Sequence, residues 1–274
     1  MIPTGSTQRT ASAWPGSWPT GWPYRAARIR LLEGYERSLR RRAAYTAGRA
    51  AWLRQSVTGT SWPRRPRHVE MDVPDARSRH VDLPGGGRVF VHELAGPPEA
   101  PTVVLLHGWG GTAAGNWATA MPALARHFRV IAPDLRGHDA GSVDDVIGLA
   151  EALGVERFIA VGYSLGSAVA SQLARRHPDR VQGMVLCAAA GVSVPSADSR
   201  GEAEIPTAVV VTRHDGLIPA SRQFEIARSR PGATVHPVDG NHFAFSRYDV
   251  FVPALLDACH SVARRADNDQ ETTL

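Results

Sequence analysis

Apolar positions follow two different rhythms along the chain. Between Tyr24 and residue 56, Leu32, Tyr35, Leu39, Ala43, Ala50 and Leu53 recur near one helical face. Arginines occupy much of the remainder, so the spacing predicts an amphipathic helix. Gly34 and Gly48 weaken that helix without forbidding it. Residues 1–23 are rich in Pro, Gly, Ser, Thr and Trp without any period and are expected to be disordered. "SWPRRPR" at residues 61–67 reads as a linker.

From about residue 79 the pattern becomes short apolar runs separated by helical stretches. Strands are expected at 88–94, 102–107, 128–134, 157–163, 182–188, 207–213 and 233–239, and helices near 114–126, 143–153, 165–176, 219–229 and 248–265. The runs from residue 102 onward are continuous rather than alternating, as strands buried on both faces should be. Alternation of β and α implies an α/β fold. Its central sheet is mostly parallel and flanked by helices, with right-handed crossovers. Residues 1–66 then form a basic helical arm and linker, and residues 67–274 the α/β domain. In such a sheet, chemistry gathers at the carboxyl ends of the strands.

Charge sharpens this division. All 31 basic residues are arginine, and residues 1–70 hold thirteen of them against three glutamates, a net +10. Residues 71–274 hold eighteen against twenty-three acids, a net −5, which argues against general nucleic-acid binding. Five of the seven tryptophans lie in the arm, and Arg interleaved with Trp and Leu suits peripheral membrane contact through residues 24–56. The alternative is a helix laid on the body of the protein with its arginines in water. No apolar run is long enough to span a bilayer, and "ASAWPGSWPTGWPY" lacks a signal-peptide core, so a cytoplasmic location is expected. Cys187 and Cys259 lie in apolar contexts without metal-ligand spacing and are expected to be buried thiols. No metal or cofactor is indicated.

Gly162-Tyr163-Ser164-Leu165-Gly166 lies between the 157–163 strand and the following helix. That context gives a GxSxG sequence its mechanical meaning: the serine hydroxyl is presented at a helix start, facing N–H groups and the positive end of the dipole. A serine needs a base, and the base needs a carboxylate to fix its tautomer. "VDGNHFAF" supplies His242 just after the last strand, and "VVVTRHDGLIP" supplies Asp215 after another. Asp239, three residues before His242, is the main rival for the acid, while His107, His138, His214 and His236 are the nearest rivals for the base. Oxyanion donors are expected from the backbone N–H groups of Leu165 and of Trp109 in "TVVLLHGWGG", with His107 holding that loop.

"LLHGWGG", "APDLRGH", "VGYSLGS", "RRHPDRVQGMVLCA", "TRHDGLIP" and "VDGNHFAF", in that order, resemble the α/β-hydrolase superfamily, in its esterase, haloperoxidase-like and carbon–carbon-bond hydrolase branch. The resemblance implies a cofactor-free serine hydrolase acting on a small-molecule ester, with Ser164 as nucleophile, His242 as base and Asp215 as orienting acid. It disfavours epoxide and haloalkane chemistry, which usually needs a carboxylate at the position of Ser164. Two departures stand out. Only sixteen residues, 191–206, lie where the family commonly inserts a cap domain, and Gly137-His138-Asp139 replaces the usual Gly-His-Gly. So small a cap implies an open site, a site covered by the arm, or a hydrolase-like protein that binds a ligand or partner without turnover.

Overall fold

The computed structural model describes residues 73–137, 140–192 and 205–271. The arm, its linker, the expected boundary after residue 66, His138, Asp139 and residues 193–204 lie outside them. Eight strands form one sheet: β1 (Arg77–Asp82), β2 (Arg88–Leu94), β3 (Thr102–Leu106), β4 (Arg129–Pro133), β5 (Phe158–Tyr163), β6 (Val181–Cys187), β7 (Thr207–Thr212) and β8 (Thr234–Val238). Their spatial order is β1-β2-β4-β3-β5-β6-β7-β8. β2 runs antiparallel to both β1 and β4, and every other pairing is parallel.

The described helices are α1 (Ala113–Trp117), α2 (Met121–Leu124), α3 (Ala140–Ala152), α4 (Leu165–Arg176), α5 (Ala220–Arg228) and α6 (Tyr248–Glu271), with a 3₁₀ turn at Ala244–Ser246. None is long and apolar enough to cross a membrane. β5 and β7 are buried at every position, and two apolar clusters explain why. Trp117, Met121, Leu124, Phe251 and Leu255 of α1, α2 and α6 pack on one face of the sheet. Val143, Leu149, Val169, Leu173 and Ile226 of α3, α4 and α5 pack on the other. Cys187 and Cys259 are free thiols buried within the first cluster, and burial raises both pKa values.

Two elements differ from expectation. The helix expected over 114–126 is broken into α1 and α2. Pro122 stands in the first turn of α2, where its missing N–H costs nothing, whereas inside one continuous helix it would clash with the preceding turn. β1 is an addition at the sheet edge. Its sequence RSRHVD buries only Val81, so it lacks the apolar signal of the inner strands. It is held instead by pairing to β2 along Arg77↔Glu93 through Asp82↔Arg88.

The chain passes from β3 to β4 on one side and then to β5 on the other. That reversal opens a crevice at the strand carboxyl ends. The loops after β3, β5, β7 and β8 all emerge on that rim.

Candidate active site

Ser164 lies between β5 and α4 with φ 52° and ψ −120°. A non-glycine residue there carries strain on the order of 1–3 kcal/mol and persists only if its surroundings over-determine it. They do. The Ser164 N–H donates to the Cys187 carbonyl at 2.9 Å, while its own carbonyl accepts from Ser167 N–H at 3.0 Å and Ala190 N–H at 3.2 Å. The flanking glycines are required sterically: a Cβ on Gly162 would run into the Gly166 backbone, and one on Gly166 into the Leu106 carbonyl. The serine side chain makes no cap to its own helix, and its Oγ meets His242 Nε2 at 3.0 Å.

His242 follows β8, and its Nδ1 lies 2.7 Å from Asp215 Oδ2. The Asp215 carboxylate has no side-chain exposure. Oδ1 accepts from the N–H groups of Leu217 at 2.8 Å and Ile218 at 2.9 Å. Oδ2 accepts from the Thr212 hydroxyl at 2.8 Å. Burial, the largest influence, would raise the Asp215 pKa. The Ile218 N–H, His242, the Leu217 N–H and Thr212 together outweigh it and hold the carboxyl below its ordinary range. An ionised carboxylate only accepts, so the proton on neutral His242 sits on Nδ1, leaving Nε2 as the acceptor for the Ser164 hydroxyl.

The rival groups are placed elsewhere. Asp239 pairs with His214 Nε2 at 2.7 Å, both well exposed. His236 lies within β8 and meets the Thr234 hydroxyl at 3.0 Å. His107 is buried below the crevice, where Nδ1–H donates to the Gly108 carbonyl at 2.9 Å and Nε2 accepts the Leu135 N–H at 2.8 Å. It holds the loop after β3, as expected. Asn116 Oδ1 in α1 secures the same loop by accepting the Gly108 N–H at 2.9 Å. Gly108 passes so close to the serine that a Cβ there would lie 3.2 Å from Ser164 Cβ. Trp109, next in the chain after Gly108, is about half exposed, and Leu165, the residue after Ser164, opens α4.

Beneath His242, buried Tyr163 donates its hydroxyl to the His242 carbonyl at 3.0 Å. Burial, with Cys187 and Asp215 nearby, pushes the phenol pKa well up, so it stays a donor. Tyr163, Asn116 and Thr212 support the site without being singled out by sequence reasoning. Tyr163 reaches a segment 79 residues away, whereas Asn116 and Thr212 act within local turns, on Gly108 eight residues back and on Asp215 three residues on. Among the described residues no group of three His, Cys, Asp or Glu side chains converges to hold a metal ion.

The comparisons agree with this architecture. The family model for the alpha/beta hydrolase fold matches residues 101–200. A pimeloyl-[acyl-carrier protein] methyl ester esterase from Chromobacterium violaceum is 31% identical over 186 residues, covering 61% of this chain and 69% of that protein. The chain belongs to the α/β-hydrolase family. A 2-hydroxymuconate semialdehyde hydrolase from Pseudomonas sp. (strain CF600) is 40% identical over 128 residues, 41% of this chain and 44% of its own length. A 2-hydroxy-6-oxo-2,4-heptadienoate hydrolase from Pseudomonas putida is 40% identical over 131 residues, 46% of its length. The α/β-hydrolase chain thus aligns with about half of these two relatives. An enol-lactonase from Burkholderia xenovorans LB400 shares the fold at TM-score 0.56 and 22% identity, over 66% of this chain and 100% of that one.

Proposed function

We propose that this α/β-hydrolase cleaves carboxylic esters or related acyl bonds through an acyl-enzyme on Ser164. The observation that carries the reading is the unbroken chain from Ser164 Oγ to His242 Nε2 at 3.0 Å and from His242 Nδ1 to Asp215 Oδ2 at 2.7 Å. In the first step Ser164 Oγ forms a bond to the ester carbonyl carbon as its proton passes to His242 Nε2. The resulting imidazolium is held by the ionised Asp215. The oxyanion would face the backbone N–H groups of Leu165, the first residue of α4, and of Trp109, in the turn after β3. Collapse breaks the bond to the leaving alcohol, which takes the proton from Nε2. Water, deprotonated by the same nitrogen, then releases the acid and restores Ser164.

The esterase from Chromobacterium violaceum lends support to an ester substrate. Turnover of short p-nitrophenyl esters by wild type and by Ser164→Ala tests the reading. A loss on the order of 10⁶-fold is expected for a nucleophile acting within a triad. Equal rates in the two proteins would instead favour a ligand- or partner-binding role.

A further inference from the structure

Gln223, the fourth residue of α5, is fully buried behind the turn that carries Asp215. A glutamine without solvent must satisfy both ends of its amide within the protein. Oε1 accepts the Thr212 backbone N–H at 3.0 Å, and Nε2 donates to the Ile218 carbonyl at 2.8 Å. A backbone N–H only donates and a carbonyl only accepts, so the amide has a single orientation.

That orientation propagates. The second Nε2 proton points to Thr212 Oγ1 at 2.9 Å. The hydroxyl, receiving from the amide, directs its own proton to Asp215 Oδ2 at 2.8 Å rather than to Gln223 Oε1 at 3.3 Å. The same amide ties together Thr212 and Ile218, on either side of Asp215, and so shapes the turn that offers the Leu217 and Ile218 N–H groups to Oδ1.

We infer that Gln223 is a positioning residue of this site. Through Thr212 it sets the direction of hydrogen bonding into Asp215, and through Ile218 it sets the orientation of the carboxylate that aligns His242. The inference rests on the acyl-transfer reading above.

The test uses the full chain as wild type, Gln223→Met, Thr212→Val, Thr212→Ser and the Gln223→Met/Thr212→Val pair. kcat and KM are measured on p-nitrophenyl acetate, with active sites counted by end-point fluorophosphonate labelling. A hydrogen bond to a charged group accounts for roughly ten- to a hundredfold. Gln223 reaches Asp215 chiefly through Thr212, its own Nε2 lying at a long 3.4 Å from Oδ2, so Gln223→Met lowers kcat per labelled site about tenfold. KM stays within about threefold, because the ground-state pocket is untouched. Thr212→Val loses a similar factor, Thr212→Ser recovers most of it, and the double variant loses little beyond the larger single loss. The proposal is overturned if Gln223→Met keeps kcat within about twofold, or if the two losses multiply independently. Should Gln223→Met not fold, equal kcat in Thr212→Val and Thr212→Ser overturns it. A wild type lacking Ser164-dependent turnover overturns the acyl-transfer reading and this inference with it, an outcome distinct from a normal wild type with insensitive variants.

Discussion

Replacing Asp215 with asparagine changes one atom's chemistry in a site whose donors leave the new amide no choice of orientation. Leu217 and Ile218 present two N–H groups to Oδ1 at 2.8 and 2.9 Å. Since N–H groups only donate, the asparagine oxygen must face them and its NH₂ must face His242 Nδ1 and Thr212. Thr212 can yield by turning its proton to Gln223 Oε1, 3.3 Å away. His242 can yield only by moving its proton to Nε2. That places an N–H where the Ser164 hydroxyl must deliver its own proton, 3.0 Å away. The fold tolerates the substitution while the base is held in the wrong tautomer. The expected loss in kcat is about 10⁴-fold, equivalent to on the order of 5 kcal/mol of barrier. Ester turnover by Asp215→Asn, with circular dichroism to verify folding, measures it. A folded variant retaining kcat within about tenfold of wild type would refute the tautomer argument.

Other expectations follow from the same contacts. Asp215 has a folded pKa lowered below its unfolded value. Its contribution to stability is therefore present above the unfolded carboxyl pKa of roughly 3.9 and is lost as pH falls through the lower folded value. Urea midpoints should show wild type losing its advantage over Asp215→Asn across that acid window, and a constant difference would count against it. Gly166→Ala drives a Cβ into the Leu106 carbonyl and should destabilise by about 3 kcal/mol or more. Gly216→Ala meets nothing within 4 Å and should stay within about 0.5 kcal/mol of wild type by thermal melt. Asp239→Asn breaks only an exposed contact to His214, so kcat should stay within about twofold. A large loss would return Asp239 to candidacy as the acid.

The parts of this site that could be read from sequence are those whose chemistry is carried by local order. Gly162, Ser164 and Gly166 belong to one strand–turn–helix junction, and the close approach of Gly166 to Leu106 is why small residues recur there. Asp215 follows the buried apolar run of β7 and His242 the half-exposed edge strand β8, and strand-end position marked both. Strand-end position favoured Asp215 over Asp239, and in the structure Asp215 meets His242 Nδ1 at 2.7 Å while Asp239 meets His214 at the surface. Gln223 and Thr212 carried no signal at all. A glutamine in an amphipathic helix reads as solvent-facing until packing places it under the acid turn, eight residues from Asp215. β1 escaped notice for a related reason: an edge strand held by backbone pairing has little need of apolar residues.

The central claim is that Ser164 Oγ is an activated nucleophile. Treating the protein with a fluorophosphonate and locating the adduct by peptide mass spectrometry tests it most directly. The account predicts one phosphonyl group on the Ser164 peptide, and no labelling of the folded Ser164→Ala and His242→Ala variants. An unlabelled but folded wild type, or an adduct on another residue that survives Ser164→Ala, would contradict it.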